Sequence, residues 1–428
     1  MADIDRSPGF FKKDLETMGM PEKEEYLNGK LREFVQHAYR NAPAFKEKLD
    51  SVNVKPDSIR TMKDLEKVPV TNKQQLMELQ RKDPPFGGLA AVPVEKLRRI
   101  YASPGPIYEP GEREYEEIAW AQGLYAAGFR GGDIVVNTFS YHMVPFAMNM
   151  VDNTLNMLGC VTVPTGVGNT ELQIGIMKDL RVTGYCGTPS FLHTVAEKAE
   201  EMGLDLKKDL TLRVGFVAAE MLPESLRDAL EGRFNMVIRQ SYGTADVGSL
   251  GYECIHKTGM HFPDDKIVEI VDPETKKQLP PGEIGEILAT TFNTTYPLIR
   301  YATGDLSYVN GDTCPCGRTS ARLGKIMGRV DQVTKVRGMF IHPSQVDQVV
   351  ARHPEISKHQ VLVTRREHQD EMTLRVDLGN STIDQKAFTE SVKQTIRDVM
   401  KLRGEVEIVS SGSIPDDAKK IDDQREWD

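Results

Sequence analysis

Apolar positions such as Leu27, Leu31, Phe34 and Val35 recur near a helical period among many charges, which predicts surface helix over residues 10–50. Between 131 and 189 the pattern changes. Short apolar runs at 134–136, 161–163 and 184–186 are broken by Gly and Pro, with helical segments around 143–158 and 171–181 between them. Strands alternating with helices predict a largely parallel sheet, and the rhythm continues through 212–218 and 236–239. After Cys254 the chain reads as strand-rich, at 266–271, 283–290 and 299–301, punctuated by Pro280-Pro281-Gly282. Beyond Gly328, short strands at 333–336 and 360–364 accompany amphipathic helices at 343–351 and 385–399. The expected fold class is α/β: a large domain over 1–330 with parallel sheets and a β subdomain, and a small α+β domain over 331–428.

A chain of 428 residues exceeds one ordinary core, in keeping with two unequal domains. Its 39% hydrophobic and 27% charged residues favour neither a disordered nor a fibrous class. A formal charge of -9 provides no global basic field for nucleic acid or an anionic membrane, so an anionic ligand must be met locally. The first thirteen residues lack an apolar run of signal-peptide length, and no later stretch has membrane-spanning length, so a cytoplasmic protein is expected. Five cysteines are a poor basis for a disulfide framework. Four donors group instead as Cys254, His261, Cys314 and Cys316, three thiolates and an imidazole that suit tetrahedral zinc. His256 is the competing ligand, and reduced thiols without metal are the bland alternative. Cys160 and Cys186 lie in apolar runs and read as core.

The most specific motif is Tyr296-Pro297-Leu298-Ile299-Arg300-Tyr301-Ala302-Thr303-Gly304-Asp305-Leu306. It is joined by Ser241-Tyr242-Gly243-Thr244-Ala245-Asp246 and by Gly328-Arg329-Val330-Asp331-Gln332-Val333-Thr334-Lys335-Val336-Arg337-Gly338. Together these resemble the signatures of adenylate-forming enzymes. The segments YRNAPAF (39–45), LEKVPVTNK (65–73) and PFGG (85–88) are similar to the phenylacetate-coenzyme A ligase branch, so the resemblance runs through nearly the whole chain.

That resemblance implies an enzyme that uses ATP to convert an aryl or arylacetic acid into an acyl-adenylate and passes the acyl group to coenzyme A. It implies a mobile C-terminal domain with Asp331 as hinge, and a nucleotide site including Ala219, Glu220, Tyr242, Gly243 and Arg329. Asp305 would bind the ribose, because an ionised carboxylate offers two acceptor oxygens to two hydroxyls; a solvated turn aspartate is the alternative. Asp246 stands where the family has Glu to hold Mg²⁺, and Tyr141 and His142 fall in the acyl-pocket segment. Lys420 aligns with the lysine that polarises carboxylate and phosphate, with Lys419 beside it. The implied partners are a carboxylic acid, ATP and CoA, with AMP as product; a homodimer stays open.

One segment departs from the pattern. Where the family has a Ser-Ser-Gly-Thr-Thr-Gly-Lys phosphate loop, this chain has Ser103-Pro104-Gly105-Pro106-Ile107-Tyr108-Glu109. Ser103 and Gly105 persist, but two prolines remove N–H donors and Glu109 adds a negative charge near the place of the missing lysine. Two readings follow: a subfamily that holds phosphates with other groups, or a nucleotide-binding homologue without ligase activity. Transfer to an acceptor other than CoA is a third.

Overall fold

The computed structural model describes residues 4–103, 106–112, 118–330, 334–336, 339–341, 343–366, 369–379, 383–416 and 418–425. The chain divides into two compact units, one of residues 1–303 and 308–325, the other of 304–307 and 326–428.

The N-terminal helical segment is three helices, Lys13–Glu16, Met20–Asn41 and Pro43–Ser51. The second break is chemical: Ala42 precedes a proline, takes extended backbone, and lets Pro43 start the next helix at its first turn. Leu31, Phe34, Val35 and Ala38 pack with Phe45 and Leu49 against Ile267 and Ile299.

At the centre of the first unit, strands Ile134–Asn137, Val161–Val163, Gly184–Gly187, Val214–Val217 and Val237–Thr244 pair in parallel. Antiparallel pairing then adds Gly248–Glu253 and Met260–His261. Successive strand residues point to opposite faces. Val136 therefore joins a core with Leu192, Val195 and Leu230, while its neighbour Val135 joins another with Trp120, Leu124 and Phe216. Both valines are completely buried, which explains why these strands read as continuous apolar runs. Cys160 and Cys186 are buried in the second cluster. A second sheet carries Thr71–Asn72, Tyr301–Ser307, Gly285–Thr291 and Lys266–Val271 in that order. The helix expected around 143–158 begins as a π-helix, Phe146–Asp152, before turning α at Asn153–Met157.

In the second unit, a four-stranded sheet in the order Glu405–Val409, Gln369–Asp377, Lys358–Arg366, Ile421–Asp423 packs on Gln385–Met400 and Pro343–Val350. Val361, Leu374, Val392 and Ile396 are fully buried there. Among the described residues, no helix is long and apolar enough to cross a membrane.

One buried ion pair ties the edge of the parallel sheet to its covering helix. Arg227, fully buried on Glu224–Phe234, donates to both carboxylate oxygens of Glu253 at 2.8 and 2.9 Å and to the Ile238 carbonyl. Removing one partner leaves a buried charge uncompensated. Arg227→Met is therefore expected to lower stability by about 3–5 kcal/mol, measured by urea unfolding.

Candidate active site

In open parallel sheets, ligand chemistry collects where the strands end at their carboxyl side. Ala219 and Glu220 follow Val214–Val217. Ala219 is exposed and holds a left-handed backbone at φ 70°, a conformation uncommon for a residue with a Cβ. Glu220 accepts from the hydroxyl and amide of Ser190 at 2.9 and 3.3 Å. Tyr242 and Gly243 lie on the strand Val237–Thr244. A Cβ at Gly243 would come within 2.2 Å of the Gly248 carbonyl, so the close approach of the two strands requires glycine.

Asp246 sits in the turn between those strands. Its Oδ2 accepts from the Tyr301 hydroxyl at 3.0 Å, while Oδ1 is buried with no hydrogen-bond partner among the described residues. Burial raises the Asp246 carboxyl above its ordinary range. Burial and the Asp246 charge also hold the Tyr301 phenol well above its usual value, so it remains a donor. An orphaned, desolvated oxygen on a carboxylate suits a hard cation, so the residue fits the Mg²⁺ ligand that the motif implies.

The divergent segment adopts a form that its proline content concealed. Arg99–Ser103 and Ile107–Gly111 form an antiparallel hairpin, with Tyr101 opposite Glu109 and Ser103 opposite Ile107. Gly105 lies outside the described residues. Glu109 does not stand as an open charge: it is 7% exposed and hydrogen-bonded to the Ser103 hydroxyl, so the two side chains occupy each other. Burial, then the neighbouring Asp246 charge, pushes the Glu109 carboxyl up to about 7. Glu109, Tyr101, Asp246 and Tyr296 line one small pocket. Sequence reasoning missed both the Glu109–Ser103 pair and the Tyr301 support of Asp246. The alternation of Tyr101, Ser103, Ile107 and Glu109 was the available hairpin signal.

Tyr141 donates to the Asp152 carboxylate at 2.9 and 2.8 Å and packs beside Phe139 and Phe146, whereas His142 is exposed. Tyr141 is held in place and presents an aromatic wall.

In the second unit, Asp305 and Arg329 face each other across an antiparallel pair, with Arg329 Nη1 3.1 Å from Asp305 Oδ1. Gly304 has φ 78°, and a Cβ there would come within 2.7 Å of the Arg329 guanidinium. Glycine at this position therefore makes room for the pair. Lys420 donates to both oxygens of Asp347 at 2.7 and 2.9 Å, a partner that sequence reasoning did not identify. Asp331 lies outside the described residues.

Cys254, His261, Cys314 and Cys316 place one donor atom each within 4.8 Å of one another. Cys254 and Cys314 sulfurs are 3.6 Å apart, and Cys316 Sγ is 3.4 Å from His261 Nε2. The other His261 nitrogen lies 3.3 Å from Ser320 Oγ, the outer contact that orients a ligating imidazole. His256 is exposed.

A doubly covered parallel sheet ending in a carboxylate with an unpartnered oxygen, together with the sequence motifs, fits an adenylate-forming, AMP-binding enzyme. Residues 119–295 match the AMP-binding enzyme family and 338–425 the AMP-binding enzyme C-terminal domain. Phenylacetate-coenzyme A ligase of Thermus thermophilus is 30% identical over 92% of this chain and 90% of its own length. The enzyme of that name from Aromatoleum evansii is 31% identical over 98% of each, and that from Escherichia coli is 31% identical over 94% of each. A crystal structure of an open conformation of 2-hydroxyisobutyryl-CoA ligase, bound to 2-HIB-AMP and CoA, shares the fold. It matches with a TM-score of 0.88 and 24% identity, covering 98% of this chain and 96% of that one. The chain belongs to the phenylacetate-coenzyme A ligase family, and is an AMP-forming acid–CoA ligase.

The hairpin acid gives a pH signature. With its folded value raised, the neutral form of Glu109 is the stable one, so its favourable contribution is complete below the unfolded value near 4.5 and is lost as pH rises through about 7. Glu109→Gln should gain stability over the parent as pH rises from 5 to 7, levelling off above 7 at a difference on the order of 3 kcal/mol. Denaturant midpoints across that range measure it.

Proposed function

We propose that the chain activates an aryl or arylacetic acid. A carboxylate oxygen attacks the α-phosphorus of ATP, and the bond to pyrophosphate breaks to leave an acyl-adenylate. The thiol of CoA, losing its proton, then attacks the acyl carbon and releases AMP. Carboxylate is unreactive and AMP a good leaving group, so the protein supplies positioning and charge neutralisation rather than a covalent intermediate.

The observation that carries this reading is Asp246, half-buried, held by Tyr301, and left with one buried oxygen unpartnered. Asp246 would hold Mg²⁺, which supplies charge neutralisation at the phosphates when bound. Ala219, Glu220, Tyr242 and Gly243 would line the nucleotide and acyl sites, with Tyr141 against an aromatic ring and His142 at the rim. In the second unit, Asp305 would accept from the ribose hydroxyls and Arg329 would contact the nucleotide, each exchanging its present partner for the ligand. Lys420 would leave Asp347 to stabilise negative charge on the reacting carboxylate and phosphate. Asp331 is the proposed hinge, and the proposed domains are residues 1–330 and 331–428. Cys254, His261, Cys314 and Cys316 would hold a structural zinc that staples the turn after Gly248–Glu253 to the segment around 314–316. A cytoplasmic protein, with a homodimer as its assembly, completes the proposal.

The Ser103–Glu109 pair favours one rival, a nucleotide-binding homologue without ligase activity, because the loop serine is engaged and no loop lysine is present.

Acid-dependent exchange of labelled pyrophosphate into ATP, across a panel of aryl acids, decides between them. Exchange is expected, reduced about a hundredfold or more in Asp246→Asn and Lys420→Ala. Nucleotide binding with no exchange for any acid would establish the rival. Product analysis with CoA identifies the acceptor. Protein purified without chelator should contain about one zinc per chain by elemental analysis, and Cys316→Ser should lower that content.

A further inference from the structure

A second cavity in the first unit is separate from the Asp246 pocket. It is a cleft of about 490 Å³ between the helices Pro43–Ser51 and Lys73–Lys82 and the segment 297–301, a size typical of small-molecule sites. Phe45, Val70, Leu79, Leu89 and Leu298 supply an apolar wall. Of the two lysines that line it, Lys82 is exposed at the lip and Lys48 is half-buried.

Lys48 is in an unusual position for a lysine. The acceptors of its ammonium are neutral, the Thr71 hydroxyl and, at 3.4 Å, the Ile299 carbonyl. The charge that acts on it most is another cation, Arg300, whose own counter-ion is Glu269 at 3.1 Å. Burial, then Arg300, brings the amine down to about 7. Among the described residues no carboxylate pairs with this half-buried ammonium, and a cation held partly out of water without a counter-ion is costly. At the lip of the cleft, Glu47, Glu78 and Lys82 are exposed, an excess of one negative charge that disfavours polyanions such as nucleotides.

We propose that this cleft is a second small-molecule site, for an amphipathic organic monocarboxylate whose carboxylate pairs with Lys48 and whose ring or short chain lies on the apolar wall. A single anionic group satisfies the half-buried cation, and the apolar remainder buries surface that the cleft leaves open. Tyr301 forms part of the wall while its hydroxyl holds Asp246, so the occupant would touch the residue that positions the proposed magnesium ligand.

Photolabelling of the full chain with 4-azidophenylacetate, followed by peptide mapping, tests the site without needing ATP or turnover. A chain inactive in pyrophosphate exchange therefore still tests it. Label is expected on peptides containing Phe45, Leu79 or Leu298, to be displaced by excess phenylacetate, and to fall at least about tenfold in Lys48→Met. On the unaltered chain, 4-azidophenylacetamide, which has no charge, should label these peptides to a similarly reduced extent. Label confined to other segments, label undiminished in Lys48→Met, or equal labelling by the amide would overturn the proposal.

Discussion

Burial of the parallel sheet on both faces is the constraint from which the site follows. Val135 and Val136 are adjacent in the chain, point oppositely, and are each sealed by a different set of helices. With both faces covered, polar side chains can meet a ligand only at the ends of the strands. Ala219, Glu220 and Asp246 all come just after strands stop, where the backbone turns out of the layer. The Arg227–Glu253 pair acts at the other end of the same two strands, fixing the antiparallel strand that carries the chain back from Asp246.

Electrostatics around Asp246 differ from what charge counting suggests. Glu109 lies near the place where the family pattern has a lysine, and a formal count would put two negative charges, Glu109 and Asp246, before a polyanionic substrate. Desolvation removes part of the conflict, because burial and the neighbouring Asp246 charge favour the neutral form of Glu109 and outweigh the Ser103 hydrogen bond, which favours the charged one. Relative to the family pattern, the hairpin thus replaces a cation with a carboxyl only partly ionised near neutral pH, a milder change than a full reversal of charge. The remaining orphaned oxygen of Asp246 is the feature that most demands a cation.

The cysteine–histidine cluster and the Lys48 cleft show two ways in which unsatisfied donors or charges point to ligands. In the first, four groups converge to a spacing that three thiols and an imidazole have little reason to adopt by themselves. In the second, Lys48 has no carboxylate partner among the described residues, whereas Arg227 has Glu253, Arg300 has Glu269, and Lys23 has Asp264 at 2.7 Å.

Much was legible in the chain itself. Apolar runs separated by Gly and Pro located the parallel strands to within a few residues, because strands buried on both sides must be apolar throughout. The motifs around Asp246, Asp305 and Arg329 announced the family, because backbone turns and charged groups at fixed spacing leave a local trace. What only the tertiary structure decided depends on residues distant in sequence: Tyr301 against Asp246, Lys420 against Asp347, His261 rather than His256 beside the cysteines, and the isolation of Lys48. The Ser103–Glu109 segment lies between these cases. Its residues are neighbours in the chain, yet its charge state is set by burial, which no local pattern records.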